Sequence, residues 1–546
     1  MRQPHQHGFT PWPQDEVQQY LSSDVWINQP IYSVVQLHAE LRPNQCALIG
    51  PDQSLTYGQL WQEVMAVSRG LLVSGLKQAD TCVLHLANTS EFYICYFALL
   101  RIGVRPVMAL PAHRLSEINY FVEFTQASCV ITADQNGWSC HTLLEQLSQA
   151  NDCLKLQVAV SAQKNKGVVS VEQLKQLGQH NLLTLPTDAQ ILSQDIAFFQ
   201  LSGGTTGVPK LIPRTHNDYL YSVRMSNEVC EFNASTRYLC ALPAAHNFPL
   251  SSPGALGTFL AGGCVVLASD PSPQTLCSLI KKHQVTVTAL VPPLVLMCLE
   301  FAAKQDVDLS SLNYLQVGGA RLSEQIARRI EPELGCKLMQ VFGMAEGLVN
   351  YTRLDDDIDE IIHTQGRPMS PWDQIKIVNE QGLAVTQGEA GILLTKGPYT
   401  IRGYFNAPDH NARSFNRDGY YITGDIVRLT HAGNLQVIGR DKDQINRGGE
   451  KIAAEEIENH LLAHEQISNA ALIGIPDAVF GEKTCAVIQC HAQAPKTFEL
   501  KRFLRQRQLA DFKIPDRIEF VEQLPKTSVG KIDKKRLKHQ FHSQGV

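Results

Sequence analysis

The sequence lacks the marks of a membrane or secreted chain. Its most apolar early stretch, Phe92 to Leu110, is interrupted by Arg101 and Arg105, so it does not offer the ~20 apolar residues that a spanning helix needs. The N-terminus, Met1-Arg2-Gln3-Pro4-His5-Gln6-His7, has no apolar segment of the signal-peptide kind. It reads as a polar leader rather than as a pair of metal-binding histidines. No Cys-x-x-Cys pair occurs among the 14 cysteines, which argues against zinc modules and disulfide frameworks and for reduced thiols in a cytoplasmic protein. An excess of positive charge is missing too. The formal charge of −5 gives no footing for nucleic acid binding as a main activity. No internal repeat or low-complexity tract is present, and no Gly-x-x-x-x-Gly-Lys-Ser/Thr loop.

What is present is 546 residues of ordinary globular composition, 44% hydrophobic and 18% charged, too long for a single core. Residues 1–30 read as an irregular arm in which Pro11 and Pro13 break any helix. From Tyr32 onward, helix-like segments (Tyr57 to Leu72, Phe92 to Leu100, Pro273 to His283) alternate with strand-like runs. These are Thr81 to Leu86, Ser128 to Thr132, Cys264 to Leu267 and Val285 to Leu290. That alternation predicts an α/β fold with a largely parallel sheet. After Pro368 the texture changes to short alternating strands, Asp373 to Val378, Gly391 to Thr395 and Asn434 to Ile438, which predict a β-rich subdomain over about 369–440. A new amphipathic helix, Ala454 to Leu462, then opens a run of strands and a helix, Leu500 to Gln508. The expected organisation is an arm (1–30), a large α/β domain (31–440) and a small α+β C-terminal domain (441–546), with a hinge near Asp441-Lys442. The charge is uneven. Between Lys526 and Lys538 six basic residues face only Asp533, which suits an anionic ligand or acidic partner, or a solvated basic tail.

The chain is organised around Phe199-Gln200-Leu201-Ser202-Gly203-Gly204-Thr205-Thr206-Gly207-Val208-Pro209-Lys210. An apolar run enters a loop of three glycines and three hydroxyl residues and leaves through a proline to a lysine. Glycines allow backbone N–H groups to approach an anion, and the hydroxyls and lysine add donors for phosphate oxygens. A flexible hairpin would use the same composition. Four further stretches accompany the loop: Gln340-Val341-Phe342-Gly343-Met344-Ala345-Glu346-Gly347, ending in a carboxylate suited to Mg²⁺; Tyr420 to Asp425, with an acid suited to ribose hydroxyls; Gly439-Arg440-Asp441-Lys442 leading into Arg447-Gly448-Gly449-Glu450-Lys451; and Pro525-Lys526-Thr527-Ser528-Val529-Gly530-Lys531.

In this order and spacing, the set resembles the adenylate-forming superfamily of acyl-CoA synthetases, luciferases and nonribosomal peptide synthetase adenylation domains, from about Tyr32 to Leu537. The resemblance implies a large α/β domain with a small, mobile C-terminal lid, and ATP and Mg²⁺ as cofactors. It implies that Ser202, Gly203, Gly204, Thr205, Thr206, Gly207 and Lys210 cover the β- and γ-phosphates and that Glu346 contacts Mg²⁺. Asp425 and Arg440 would hold the ribose. Gly319, Val341 and Ala345 would line the adenosine site, and Gly343 and Met344 would belong to the ATP contacts beside them. Lys442 would be the hinge, Lys531 the catalytic lysine, and Gly448, Gly449 and Lys451 part of the lid face presented during thiol transfer, with Lys451 also counted among the nucleotide contacts.

Leu242-Pro243-Ala244-Ala245-His246-Asn247-Phe248-Pro249-Leu250-Ser251-Ser252-Pro253-Gly254 is similar to the acid-pocket segment of the stand-alone aryl-acid activators of catechol siderophore pathways. So are Gly204 in the loop and Met344 before Ala345-Glu346. This likeness implies an aryl acid substrate, 2,3-dihydroxybenzoate first and salicylate as the alternative, with His246, Asn247, Phe248 and Ser252 around it. Asn247 would bind the ring hydroxyl next to the carboxylate, and Ser252 would lie by the second. A buried amide and hydroxyl suit phenolic groups that an apolar pocket would leave unpaired. The chain ends at Val546, just after the lysine motif, so the acceptor is expected to be a separate phosphopantetheinylated aryl carrier protein. An acyl-CoA ligase for another small acid, and a nucleotide-binding scaffold without catalysis, are the competing readings. No nucleic acid or membrane partner is expected.

Overall fold

A computed structural model of the chain describes residues 7–135, 137–160, 167–181, 183–202, 209–319, 322, 324–379, 381–440, 445–452, 454–491, 493–525 and 532–542. The largely parallel sheet expected from the alternation is in fact two sheets. The first has seven strands, in the order Val168–Ser170, Leu156–Ala159, Cys129–Thr132, Thr81–His85, Arg105–Ala109, Ile196–Leu201 and Leu211–Thr215. Only its last pair is antiparallel. The second has nine strands, with a parallel centre from Lys337–Met344 through Tyr314–Gly318, Val287–Leu290, Arg237–Cys240 and Cys264–Leu267 to Cys46–Ile49, and antiparallel edges.

Strand alternation builds the layers. Cys82 and Leu84 of the first sheet and Tyr238 and Cys240 of the second point into one shared core. Val83 faces the other way, toward Phe121 and Leu144, and Leu239 toward Leu276 and Leu299 of the outer helices. With both faces covered, these strands read as continuous apolar runs. Helix Ser90–Arg101 lies in the shared core with ten buried residues, which accounts for the apolar early stretch that begins at Phe92. Among the described residues no helix is long and apolar enough to cross one. All fourteen cysteines are free thiols.

The arm differs from expectation. Helix Gln14–Ser22 starts directly after Pro13, which sits at its N-cap with φ −55°. Proline costs nothing there, because the first-turn N–H groups have no intrahelical acceptor. Trp12, Val17, Tyr20 and Trp26 bury into the shared core, and Trp26 Nε1 donates to Pro398 O at 3.2 Å.

Strands Gln374–Val378, Ala390–Lys396, Tyr421–Leu429 and Leu435–Arg440 form an antiparallel sheet. Beyond it, strands Glu450–Ile452, Ile445–Arg447, Gly481–Cys490, Ile467–Asp477 and Arg517–Phe520 make a separate five-stranded sheet. Its two faces carry their own cores. Leu472, Ala486 and Ile488 pack with helices Ala454–Leu462 and Thr497–Gln506, and Ile473 and Val487 with Leu537 and Phe541.

Candidate active site

The strands on either side of the glycine-rich stretch, Ile196–Leu201 and Leu211–Thr215, pair antiparallel. The pairing continues one residue further, with Ser202 N donating to Lys210 O (2.9 Å) and Lys210 N donating to Ser202 Oγ (3.3 Å). Gly203, Gly204, Thr205, Thr206 and Gly207 lie outside the described residues, as do Lys442 and Lys531, and so do the side chains of Arg440 and Lys451.

Lys210 Nζ stands 5.7 Å from the ring centroid of Tyr404. The Tyr404 hydroxyl donates to Glu346 Oε1 at 2.8 Å, so the Tyr421 hydroxyl, 2.9 Å away, donates to Tyr404. Burial, and then the neighbouring carboxylate, hold the Tyr404 phenol well above its ordinary range. It therefore stays a donor and orients Glu346, leaving Oε2 for a cation. No group of three or more candidate metal ligands occurs among the described residues. A single oriented carboxylate fits Mg²⁺, which commonly takes one or two carboxylates and draws the rest of its shell from phosphate and water.

Ala345 and Glu346 form the tip between strands Lys337–Met344 and Gly347–Tyr351. Ile401 N donates to Glu346 O (2.8 Å). Arg214, 2% exposed, donates to the carbonyls of Ala345 and Tyr399 and pairs with Asp218 at 2.9 Å. A buried cation survives because every face of it is matched. Its guanidinium lies 4.9 Å from the centroid of the Tyr219 ring, and Tyr219 Oη donates to Asn247 Oδ1 at 2.8 Å. The hairpin that carries Glu346 and the segment that carries Asn247 thus hang on one residue.

Asn247 is half-buried at the start of the short helix Asn247–Ser251. With Oδ1 taken by Tyr219, its amide NH₂ is left to donate. The Phe248 ring packs on the backbone of Gly318, where an added Cβ would lie 3.1 Å from Cζ. Ser252 is buried close to the Tyr351 hydroxyl, which is itself 2.9 Å from Ser226 Oγ. His246 is exposed and caps the helix, its Nδ1 accepting from Phe248 N at 3.3 Å.

Gly319 follows strand Tyr314–Gly318, whose Gly318 pairs with Val341. Val341 and Met344 are buried, Ala345 is half-buried and Gly343 is exposed, so these residues gather at the carboxyl ends of parallel strands, the usual ligand edge. Asp425 is buried, takes a bond from its own N–H to Thr423 Oγ1 (2.9 Å), and sits opposite Arg440. Gly448 and Gly449 of the C-terminal domain reach this edge. Asn446 Nδ2 donates to Gly319 O (2.9 Å), and a Cβ on Gly449, where φ is +95°, would fall 2.9 Å from Val291 Cγ1.

Sequence reasoning missed Arg214, Asp218, Tyr219 and Tyr404. A signal existed for one of them. Thr215-His216-Asn217-Asp218 reads as a capping box, and both of its hydrogen bonds form. The contacts of Arg214 with Ala345 and of Tyr404 with Glu346 cross 131 and 58 residues of chain, and no local pattern announces them.

Residues 35–405 match the model of the AMP-binding enzyme family, and residues 456–531 that of the AMP-binding enzyme C-terminal domain. The chain is 53% identical over 540 residues to the vibriobactin-specific 2,3-dihydroxybenzoate-AMP ligase of Vibrio cholerae, covering 98% of each. It is 48% identical over 533 residues to the 2,3-dihydroxybenzoate-AMP ligase of Bacillus subtilis, covering 97% of each. Among solved structures it is similar to apo MbtA of Mycobacterium smegmatis, with a TM-score of 0.75 and 40% identity over 98% of this chain and 99% of that one.

Proposed function

Since the chain belongs to the AMP-binding enzyme family, whose members form adenylates with ATP, we propose that it activates 2,3-dihydroxybenzoate as the aryl adenylate and passes the aryl group to the phosphopantetheine thiol of a separate carrier protein. The observation that carries the substrate is Asn247, whose acceptor is occupied by Tyr219 and whose NH₂ is left to meet a ring hydroxyl. The names of the two ligases above support the same acid. Free thiols throughout agree with a cytoplasmic setting.

In the first step an oxygen of the aryl carboxylate bonds to the α-phosphorus of ATP, the bond to the bridging β-oxygen breaks, and pyrophosphate leaves. Two anions must meet, so charge has to be neutralised where it develops. Ser202, Lys210 and the loop between them are assigned to the β- and γ-phosphates, Lys531 to the reacting oxygens, and Asp425 with Arg440 to the ribose. Glu346, held by Tyr404, would hold Mg²⁺, which supplies charge neutralisation on the phosphates. In the second step the thiol sulfur bonds to the acyl carbon, AMP leaves and the thiol proton is released. The seating of Gly448 and Gly449 beside Gly319 supports reading the observed lid orientation as the one used in this transfer, with Lys442 as the pivot between orientations.

The test is ATP–pyrophosphate exchange with 2,3-dihydroxybenzoate, salicylate, benzoate and a fatty acid. Exchange should be fastest with the dihydroxy acid and near background with benzoate and the fatty acid. Equal exchange with benzoate would remove the hydroxyl-reading pocket, and no exchange with any acid would remove the enzyme.

A further inference from the structure

The C-terminal domain is tied to the N-terminal body by a buried ion-pair triad that lies apart from the residues assigned above. Lys513, in the turn Asp511–Lys513, is 5% exposed. Its ammonium donates to Glu456 of helix Ala454–Leu462 at 2.7 Å and to Glu117 of body helix Leu115–Thr125 at 3.1 Å. Glu117 is 4% exposed, and its other oxygen accepts from Arg114 N at 3.0 Å. Glu456 belongs to the same domain as Lys513, so the lysine is paired whatever the domain's orientation. Glu117 is the partner that the N-terminal body supplies in this orientation.

Three residues after Lys513, Asp516 receives a forked pair from Arg447 (2.8 and 2.7 Å) and a bond from Thr484 N (2.9 Å). Arg447 is the residue before Gly448-Gly449. Residues 513–516 therefore connect a charge seated on the body to the turn that meets Val291, Pro293 and Gly319.

We propose that Glu117 and Lys513 are positioning residues for the thiol-transfer step, seating the C-terminal domain so that the Asp516–Arg447 fork holds the Gly448-Gly449 turn at the site. The inference rests on the proposed two-step function. A buried charge tolerates displacement poorly, because a partner moved by a few ångströms leaves the charge desolvated and unpaired. The pair thus fixes orientation more sharply than an apolar contact would. It has no counterpart role in adenylate formation, which is assigned to the other lid orientation.

The test uses the full-length protein, chemically supplied 2,3-dihydroxybenzoyl adenylate and pantetheine as thiol acceptor, alongside pyrophosphate exchange. Glu117→Gln keeps a residue able to complete the cap of its helix and removes the charge. Transfer should slow about tenfold, the factor that 1.4 kcal/mol of preference between orientations sets, while exchange stays level or quickens. In a Lys513→Met background, Glu117→Gln should have no further effect. Unchanged transfer overturns the proposal, and so does an equal loss of exchange and transfer, which would make the pair a fold contact. If wild-type exchange is present and Glu117→Gln transfers normally, the pair's role falls while the proposed function stands. If wild-type exchange is absent, both fall.

Discussion

Replacing Tyr219 by phenylalanine tests how Asn247 is aimed without altering a residue assigned to the aryl ring. The Tyr219 ring packs edge-on against Phe198 at 4.7 Å and under the Arg214 guanidinium, and phenylalanine keeps both contacts. Burial pushes the Tyr219 phenol up to about 12, so near neutrality it is a proton donor to Asn247 Oδ1. Tyr219→Phe deletes that donor alone. A neutral hydrogen bond is worth roughly 0.5–1.5 kcal/mol net, and the amide oxygen keeps only the longer 3.4 Å bond from Ser251 Oγ, so the amide is less firmly aimed and the KM for 2,3-dihydroxybenzoate should rise about 2- to 10-fold. Asn247→Leu goes further. It strands the ring hydroxyl and the Tyr219 hydroxyl together, and an unsatisfied buried group costs about 1–3 kcal/mol, so the KM should rise roughly 10- to 100-fold. In the Asn247→Leu background Tyr219→Phe should cost nothing more, because the hydroxyl it removes is already unpaired. The assay is pyrophosphate exchange with acid varied at saturating ATP, then ATP varied at saturating acid. The KM for ATP should hold in all variants. Poor exchange with benzoate, which has no ring hydroxyl, should be insensitive to both changes. An unchanged KM for the dihydroxy acid in Asn247→Leu, or parallel rises for acid and ATP, would refute the assignment.

Three further outcomes are expected. Tyr404→Phe removes a charge-assisted bond to Glu346 worth about 1.5–3 kcal/mol; exchange should slow and its Mg²⁺ requirement rise, and an unchanged MgCl₂ titration would count against the Glu346 role. Lys531→Ala should lower adenylate formation by about 10²–10³ yet leave transfer from supplied aryl adenylate nearly normal, whereas equal damage to both steps would contradict the use of two lid orientations. Burial raises the Asp373 carboxyl to about 7 in the fold, so folding favours its protonated form. Its cost to stability is absent below about pH 4, grows between pH 4 and 7, and reaches roughly 4 kcal/mol above that. Asp373→Asn keeps an acceptor for the Tyr399 hydroxyl, and its Tm advantage over wild type should grow from pH 5 to pH 7.5 and then level off; a pH-independent difference would refute the linkage.

How much of this was legible in the sequence follows from which interactions are local. Helix Pro273–His283 matches its expected bounds because its signals are adjacent, Ser272 capping Thr275 N, Pro273 at the first turn and Gln284 left-handed at the end. Strand Cys264–Leu267 and helix Ala454–Leu462 match in the same way. The number of sheets was not legible, since a strand buried on both faces reads the same in either sheet. Helix Gln14–Ser22 was lost by taking Pro13 as a breaker where it is a starter. At the candidate site, the residues that the resemblance singled out lie at or near strand ends where they are described, whereas the side chains that hold them carry no motif. His246, expected beside the aryl acid, spends its Nδ1 on a helix cap. Arg214, which no motif marked, supports the Glu346 hairpin through Ala345 and the Asn247 amide through Tyr219. A side chain assigned to neither ATP nor the acid therefore joins the two segments that carry the proposed contacts, Glu346 and Asn247. The order of its neighbours in the chain carries no trace of that, because the contact exists only after both sheets have closed over it.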